Sequence, residues 1–423
     1  MNVHVFIGPT LPADTVRERF PAAVLHGPAR HGDLIRLDPG PGDTAVIIDG
    51  LYHHSLPLRH EEILWALARG TAVIGAASIG ALRAAEFDAY GMTGAGEIYR
   101  QYRDGDIDSD ADVAVTHTEE PPHRPLTLAL VDLRHQLTRF TADGTLTPDA
   151  AEQILRTGTA LPYTRRSWAA IRHHLARTAP RSAGQAETAA RLVAKDPLAH
   201  SLKARDALTA LELAHTRLGT PPATPPRNWT GDPGWRTTFF DETVTDFLPA
   251  DPDGPGTVTL GDVLREQRLH DPDFPRRWAA FVAARIDGPR PTRLTTEQRT
   301  AWLTPREAEL LDDEQALATA LTRATRPPLA PPAERDRLHA LLGRSAGPHP
   351  AAPAPAAREG RHWTRRDARL HLHTVWNVPE DDRAALLARA RDRGFPDVPA
   401  AVDAALALLR RPHPAPTGAG ETT

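Results

Sequence analysis

The stretch "VIGAASIGALRAAEF" (73–87) places one serine, Ser78, where an apolar run gives way to a helical pattern. A serine at such a junction can do either of two jobs. As structure, it caps the helix, its hydroxyl accepting a hydrogen bond from a free N–H of the first turn. As chemistry, "AASIG" approaches the G-x-S-x-G turn that lifts a nucleophile above the end of a parallel sheet. Gly75, Ala76 and Ala77 relieve crowding before the turn, and Gly80 lets the helix pack closely behind it. The helix N-terminus would then offer donors to an oxyanion. Ile79 N–H is the first candidate donor and Thr10 N–H, from the "GPT" turn, the second.

A serine nucleophile needs a base. "LRHEEIL" (58–64) sets Arg59, His60, Glu61 and Glu62 on the first turns of another helix. His60 is the candidate base, with Glu62 or Asp49 as the carboxylate that orients it. The two glutamates can equally serve only to complement the helix dipole. Arg59 and Arg83 are candidates for holding a carboxylate or a partner's tail, although Arg83 and Glu86 also have the spacing of an ordinary i,i+3 surface pair. Zero cysteines exclude a thiol nucleophile, disulfides and Cys-ligated metal. The chain has only two lysines, Lys195 and Lys203, so its first 194 residues offer none.

Other suggestive stretches carry less. His53 and His54 are adjacent, and His117 and His123 lie far from them, which is not metal-ligand spacing. "DGDIDSDADVAVTH" is acidic but lacks the spacing of a calcium loop. "GMTGAGEIY" (91–99) follows a helix rather than a strand and has no lysine, so it reads as a flexible, partner-facing loop and not a phosphate loop. No metal or cofactor is expected.

These residues need elements to hold them. Runs at 3–8, 22–27, 44–50 and 71–77 are short, apolar and β-branched, and read as strands. Between them lie helix candidates at 13–20 and 57–70, a short helix or turn near 31–37, and a helix after Ser78 over 79–87. Strands alternating with helices through short links make a parallel sheet flanked by helices, the α/β class. Ligands of such sheets bind beyond the carboxyl ends of the strands. Gly8-Pro9-Thr10, Asp49-Gly50 and Ala77-Ser78 should therefore converge on one edge. After about residue 120 the chain becomes rich in Ala, Leu and Arg and reads as a mostly α-helical C-terminal half. The expected organisation is an α/β core over 1–120, a helical region over 121–325, a Pro/Ala-rich linker over 326–360, a small helical unit over 361–411 and a disordered tail over 412–423. A formal net charge of −4 without clustered Lys and Arg argues against nucleic acid. The start "MNVHVFIGPT" lacks the pattern of a signal peptide, and no apolar run reaches the roughly 18 residues of a membrane span, so a cytoplasmic protein is expected.

"FIGPTLP", "IIDG" followed by Tyr52, "HEEILWALARGTAVIGAASIGALRAAEF" and "YGMTGAGEIYRQYRDGDIDSDADVAVTH" come in the order and spacing of the TfuA-like core domain, which residues 3–120 resemble closely. The resemblance implies an accessory role beside a YcaO-type enzyme, which uses ATP to replace a backbone amide oxygen with sulfur in ribosomally made peptides. It implies release of sulfide from a thiocarboxylated, ubiquitin-like sulfur-carrier protein, and partnership with YcaO and the precursor peptide. It also implies a serine–lysine pair. Ser78 matches the serine, whereas Glu61 of "HEEIL" stands where the lysine is expected. Three readings follow: His60 or a carboxylate replaces the lysine, the lysine lies elsewhere, or the chain is a non-catalytic adaptor. A stand-alone serine esterase or amidase is a further alternative.

Overall fold

In β3 (Thr44–Ile47) every residue is buried, as expected of a strand covered on both faces. A computed structural model describes residues 2–51, 56–217, 244, 246–248, 259–284, 293–324 and 363–410. The Pro/Ala-rich linker, the tail and His53 and His54 lie outside the described residues, as does the end of the proposed helical region. The described chain divides into two units, 1–244 and 245–423.

The first unit is built on five parallel strands in the order β2-β1-β3-β4-β5. These are β1 (Val3–Phe6), β2 (Ala23–His26), β3, β4 (Ala72–Ala76) and β5 (Thr93–Ala95). The helices α1 (Ala13–Arg19), α2 (Asp33–Leu37), α3 (His60–Ala68) and α4 (Ile79–Phe87) fall where the apolar periodicity places them, with shorter ends. The segment 91–99 is a correction to the loop expectation. Thr93–Ala95 pairs with Ile74–Ala76 as an edge strand, and Gly96 opens α5 (Gly96–Asp104). Three residues containing a glycine give too short a pattern to read as a strand. Gly96 has a φ of +90°, and a side chain there would run into Asp206, which caps α5 from outside by accepting Ile98 N–H at 2.7 Å.

That cap comes from α10 (Leu202–Thr216), more than a hundred residues further on. Alternate residues of the strands, Val5, Val46, Ile48 and Ile74, form one face of the sheet. Ala204, Ala207, Ala210, Leu211 and Ala214 of α10 pack against it. The alanines let the helix axis approach closely. Between α5 and α10, α6 (Leu130–Ala142), α7 (Pro148–Ala160), α8 (Trp168–Thr178) and α9 (Pro180–Lys195) form a bundle around Leu133, Leu137, Phe140, Ile154 and Ile171. After α5 the described residues form helices and no further strand, so the C-terminal half is mostly helical as expected.

The second unit is helical. The helices Leu260–His270, Arg365–Val375, Arg383–Arg391 and Val398–Leu409 share a core of Leu269, Leu372, Trp376, Leu386, Val402 and Leu406. Burial pushes Asp392 up to about 6, against the pull of Arg393 and Arg389. No helix among the described residues is long and apolar enough to cross a membrane.

Two outcomes are expected. A Cβ on Gly80 would lie 1.8 Å from the Ile47 carbonyl oxygen, whereas Gly184, inside α9, has nothing within 4 Å. Gly80→Ala should cost at least about 1–3 kcal/mol of overpacking, and Gly184→Ala should gain up to about 1 kcal/mol of helix propensity. Urea unfolding followed by circular dichroism distinguishes them. For Asp392, the folded protein keeps its proton to about pH 6, while an unfolded aspartate loses it near 4. The folded state therefore binds more protons across that window, and this contribution to stability falls as pH rises through it. Asp392→Asn should make the unfolding midpoint of the second unit less sensitive to pH between 4 and 6.

Candidate functional site at the carboxyl edge of the sheet

Ser78 follows β4 through Ala77, whose φ of +67° is a left-handed conformation that costs about 1–2 kcal/mol for a residue with a Cβ. The turn is held by Ser78 N–H donating to Ala76 O at 2.8 Å. Behind it, Gly75 and Gly80 are in backbone contact: a Cβ on Gly75 would lie 2.1 Å from Gly80 O. The packing role read for Gly80 is therefore met. Ser78 is 5 % exposed, and its hydroxyl makes no cap bond to α4. The capping job is not what occupies this side chain. Ile79, at the first helical position, keeps an N–H that helix geometry leaves without an intrahelical acceptor.

Thr10 and Asp49 do come together at this edge, but not as an oxyanion site. Asp49, 2 % exposed at the end of β3, accepts Gly8 N–H at 2.9 Å, Thr10 N–H at 3.0 Å and the Thr10 hydroxyl at 2.6 Å. The N–H assigned to an oxyanion is thus spent on a carboxylate, and Asp49 serves to hold the β1 turn.

His60 does not join Ser78. Its Nε2 lies 3.4 Å from Glu86 and its ring packs on Phe87, in the last turn of α4, while Ser78 precedes the first. Eight residues of helix span about 12 Å. Glu62 does not orient His60 either. Fully buried, it accepts Gly32 N–H at 2.9 and 3.0 Å and Arg59 N–H at 3.2 Å, and pairs with His31 Nδ1 at 3.0 Å. Burial pushes Glu62 up, and those bonds pull back without cancelling it. Its work is to fix the loop before α2 and the start of α3. The Arg59 side chain lies 3.9 Å from Glu61. Arg83 forms the i,i+3 pair with Glu86 at 2.6 Å and lines a notch of about 480 Å³ with Ile79, Asp108 and Asp110. Burial pushes Glu86 up, but His60 and Arg83 outweigh it and hold the carboxyl below its usual range.

A lysine from beyond the first 120 residues reaches this edge. Lys203, in the first turn of α10 and 3 % exposed, sends Nζ to the same edge, 2.9 Å from Val113 O and 4.0 Å from Asp49 Oδ1. Its backbone N–H donates to Asp132 at 3.1 Å. Burial pushes Asp132 up, and the Lys203 charge is the largest influence opposing it. Sequence reasoning passed over Lys203 by confining the search to the first domain. The only signal in the sequence is compositional: Lys203 is one of two lysines in a chain that otherwise uses arginine.

Beside this cluster, a cleft of about 1250 Å³ opens over the ends of β1, β2 and β3, lined by Phe6, His26, Gly50, His117, His123 and Tyr163 among others. It lies where the strand order reverses, between β1 and β3. His117 and His123 each place Nδ1 near Thr118 O, at 2.8 and 3.4 Å. Among the described residues, no group of three or more His, Cys, Asp or Glu side chains is arranged to hold a metal ion.

Lys203→Met removes the buried cation that faces Asp49 and opposes the burial of Asp132, and should destabilise the first unit by about 3–5 kcal/mol. Adding Asp132→Asn should recover part of that loss. Chemical denaturation of the single and double variants measures both.

No curated protein matches the chain. A family model does, over residues 49–167. That span takes in Asp49, the Ser78 turn and Asp132 and stops short of Lys203; it leaves out β1, β2 and β3, which the resemblance read from the sequence had included. The model that residues 49–167 match is that of the TfuA-like proteins.

Proposed function

We propose that this chain is an accessory protein of backbone thioamidation, acting with a YcaO-type enzyme on a ribosomally made peptide by hydrolysing a thiocarboxylated carrier protein to deliver sulfide. The observation that carries the reading is the placement of Lys203 at the sheet edge on which the uncommitted Ser78 hydroxyl lies. The reading takes Ser78, after β4, and Lys203, from α10, as the serine–lysine pair that the family resemblance implies, with Asp49 facing the lysine at 4.0 Å. In the proposed reaction Ser78 Oγ bonds to the thioacid carbonyl carbon, and Ile79 N–H donates to the oxygen that becomes negative. The C–S bond breaks as Lys203 conveys the Oγ proton to the leaving sulfur. Water then cleaves the ester, returning the proton to Ser78 and leaving a carboxylate on the carrier.

One observation favours the adaptor reading. Ser78 is 5 % exposed and does not line the large cleft. Under that reading the cleft and the helical surfaces hold YcaO and its peptide, and Ser78 only shapes the turn.

Sulfide release from a thiocarboxylated carrier protein separates the two. Ser78→Ala should lower the rate by about a thousandfold or more, Lys203→Arg should do the same while keeping the charge, and His60→Ala should leave it unchanged. Circular dichroism checks that each variant is folded. A wild-type protein that binds YcaO yet releases no sulfide supports the adaptor.

A further inference from the structure

The extended segment 114–118 borders the large cleft of the first unit, and Val115, Thr116 and His117 all line it. It pairs with the return segment 124–126. Leu126 N–H donates to Thr116 O at 2.7 Å, and Thr118 N–H donates to Arg124 O at 3.0 Å. His117 and Pro125 therefore stand opposite each other at the place in an antiparallel pair where neither residue bonds to the other. A proline fits there because the pairing asks no N–H of it. Backbone polar groups alternate in direction along a strand. Those of Thr116 and Thr118 turn toward the return segment, so those of Val115 and His117 turn away from it. No hydrogen bond among the described residues uses the N–H or C=O of Val115 or His117.

This open edge is held in shape from behind. Lys203 Nζ donates to Val113 O at 2.9 Å, Arg166 donates to Ala111 O at 3.1 Å, and Thr116 N–H donates to the Thr127 hydroxyl at 2.7 Å. A preformed row of free donors and acceptors is a template for a further strand. The charges around the cleft say what kind of strand. Arg30 and Arg36 lie 3.6 and 2.9 Å from Asp33. Burial pushes the His26 imidazole down, against the pull of Asp33, and so favours its neutral form. Glu119 is the remaining carboxylate of the lining and is exposed. The cleft walls thus offer rings, hydroxyls and main chain rather than a charge seeking a partner.

We propose that the edge formed by Val115 and His117 takes an extended, uncharged segment of a partner polypeptide as an added strand. The proposal rests on the reading above in taking a polypeptide as the ligand of this end of the sheet, and it adds how that chain is gripped. Main chain binds main chain: the N–H and C=O of Val115 and His117 exchange hydrogen bonds with alternate residues of the segment, whose side chains pack on the walls of the cleft. The backbone supplies the affinity, so recognition tolerates many side chains and depends on the amides.

The test is fluorescence anisotropy of the full chain with a fluorescein-labelled, amidated heptapeptide of alternating threonine and valine. Wild type should bind it. His117→Pro removes the outward N–H while leaving the bonds of Thr116 and Thr118 to the return segment, and should weaken binding about tenfold or more relative to His117→Ala, which loses the same imidazole but keeps the N–H. A second arm needs no variant and decides the matter if His117→Pro fails to fold. Methylating one set of alternate peptide amides should weaken binding to wild type by about tenfold or more, and methylating the other set should do so much less. No binding by wild type, or equal affinity for the two methylated peptides, overturns the proposal. Binding involves no chemistry, so this result and the Ser78-dependent release of sulfide can fail independently.

Discussion

At the carboxyl edge of the sheet, a buried carboxylate and a buried ammonium have to be satisfied together. Asp49 takes three hydrogen bonds from the turn after β1, and its remaining charge faces Lys203 Nζ at 4.0 Å. Charges this deep are tolerable only when paired and hydrogen-bonded. Lys203 meets that demand only when α10 is seated, since its stem runs from the first turn of that helix. Asp206, three residues on, caps α5 from the same face. One helix therefore neutralises the edge, caps a neighbouring helix and covers the apolar face of the sheet. The first 120 residues hold every strand found among the described residues but lack the element that closes them.

A second constraint is steric and acts from behind. Gly75 and Gly80 bring the β4 backbone, the start of α4 and the Ile47 carbonyl so close that no Cβ fits at either position. The chain has little choice but to turn sharply at Ala77, and the sharp turn is what sets Ser78 at the edge rather than along the helix flank. The strain at Ala77 is held by packing, because its methyl is fully buried in the same apolar cluster that α10 completes. The local turn and the distant helix thus stabilise one another. This is the kind of over-determined geometry in which a residue can keep an unfavourable backbone conformation.

How much of this was legible in the sequence depends on how local the cause is. The strands and helices through α4 were, because burial on alternate residues and on one helix face writes a period into the chain. The glycine contacts behind Ser78 were, because close approach has few other solutions. β5 was not, because its three residues carry no period and its pairing is set by β4. The His60 reading failed for a different reason. Knowing that a helix starts near an edge does not say where its first side chain points, and His60 points to the far end of α4. Thr10 N–H was read as free only because the sequence does not reveal that Asp49 already accepts it.

Lys203 is the informative omission. Its distance along the chain hid it from any argument built on spacing, since 154 positions separate it from Asp49. Its chemistry, though, was visible from the start. An arginine at this position would carry the charge, but its planar fork needs several acceptors. Here the cation has one hydrogen-bond acceptor, Val113 O, and a carboxylate 4.0 Å away. A compact ammonium fits that sparse set of partners and a guanidinium does not. Arg166 shows the contrast in the same unit. Equally buried, it satisfies its fork on the carbonyls of Gly158, Ala111 and Leu161, where the task is to tie a helix end to a loop. Where a guanidinium finds several carbonyls the chain uses arginine, and at the edge beside Asp49 it keeps one of its two lysines.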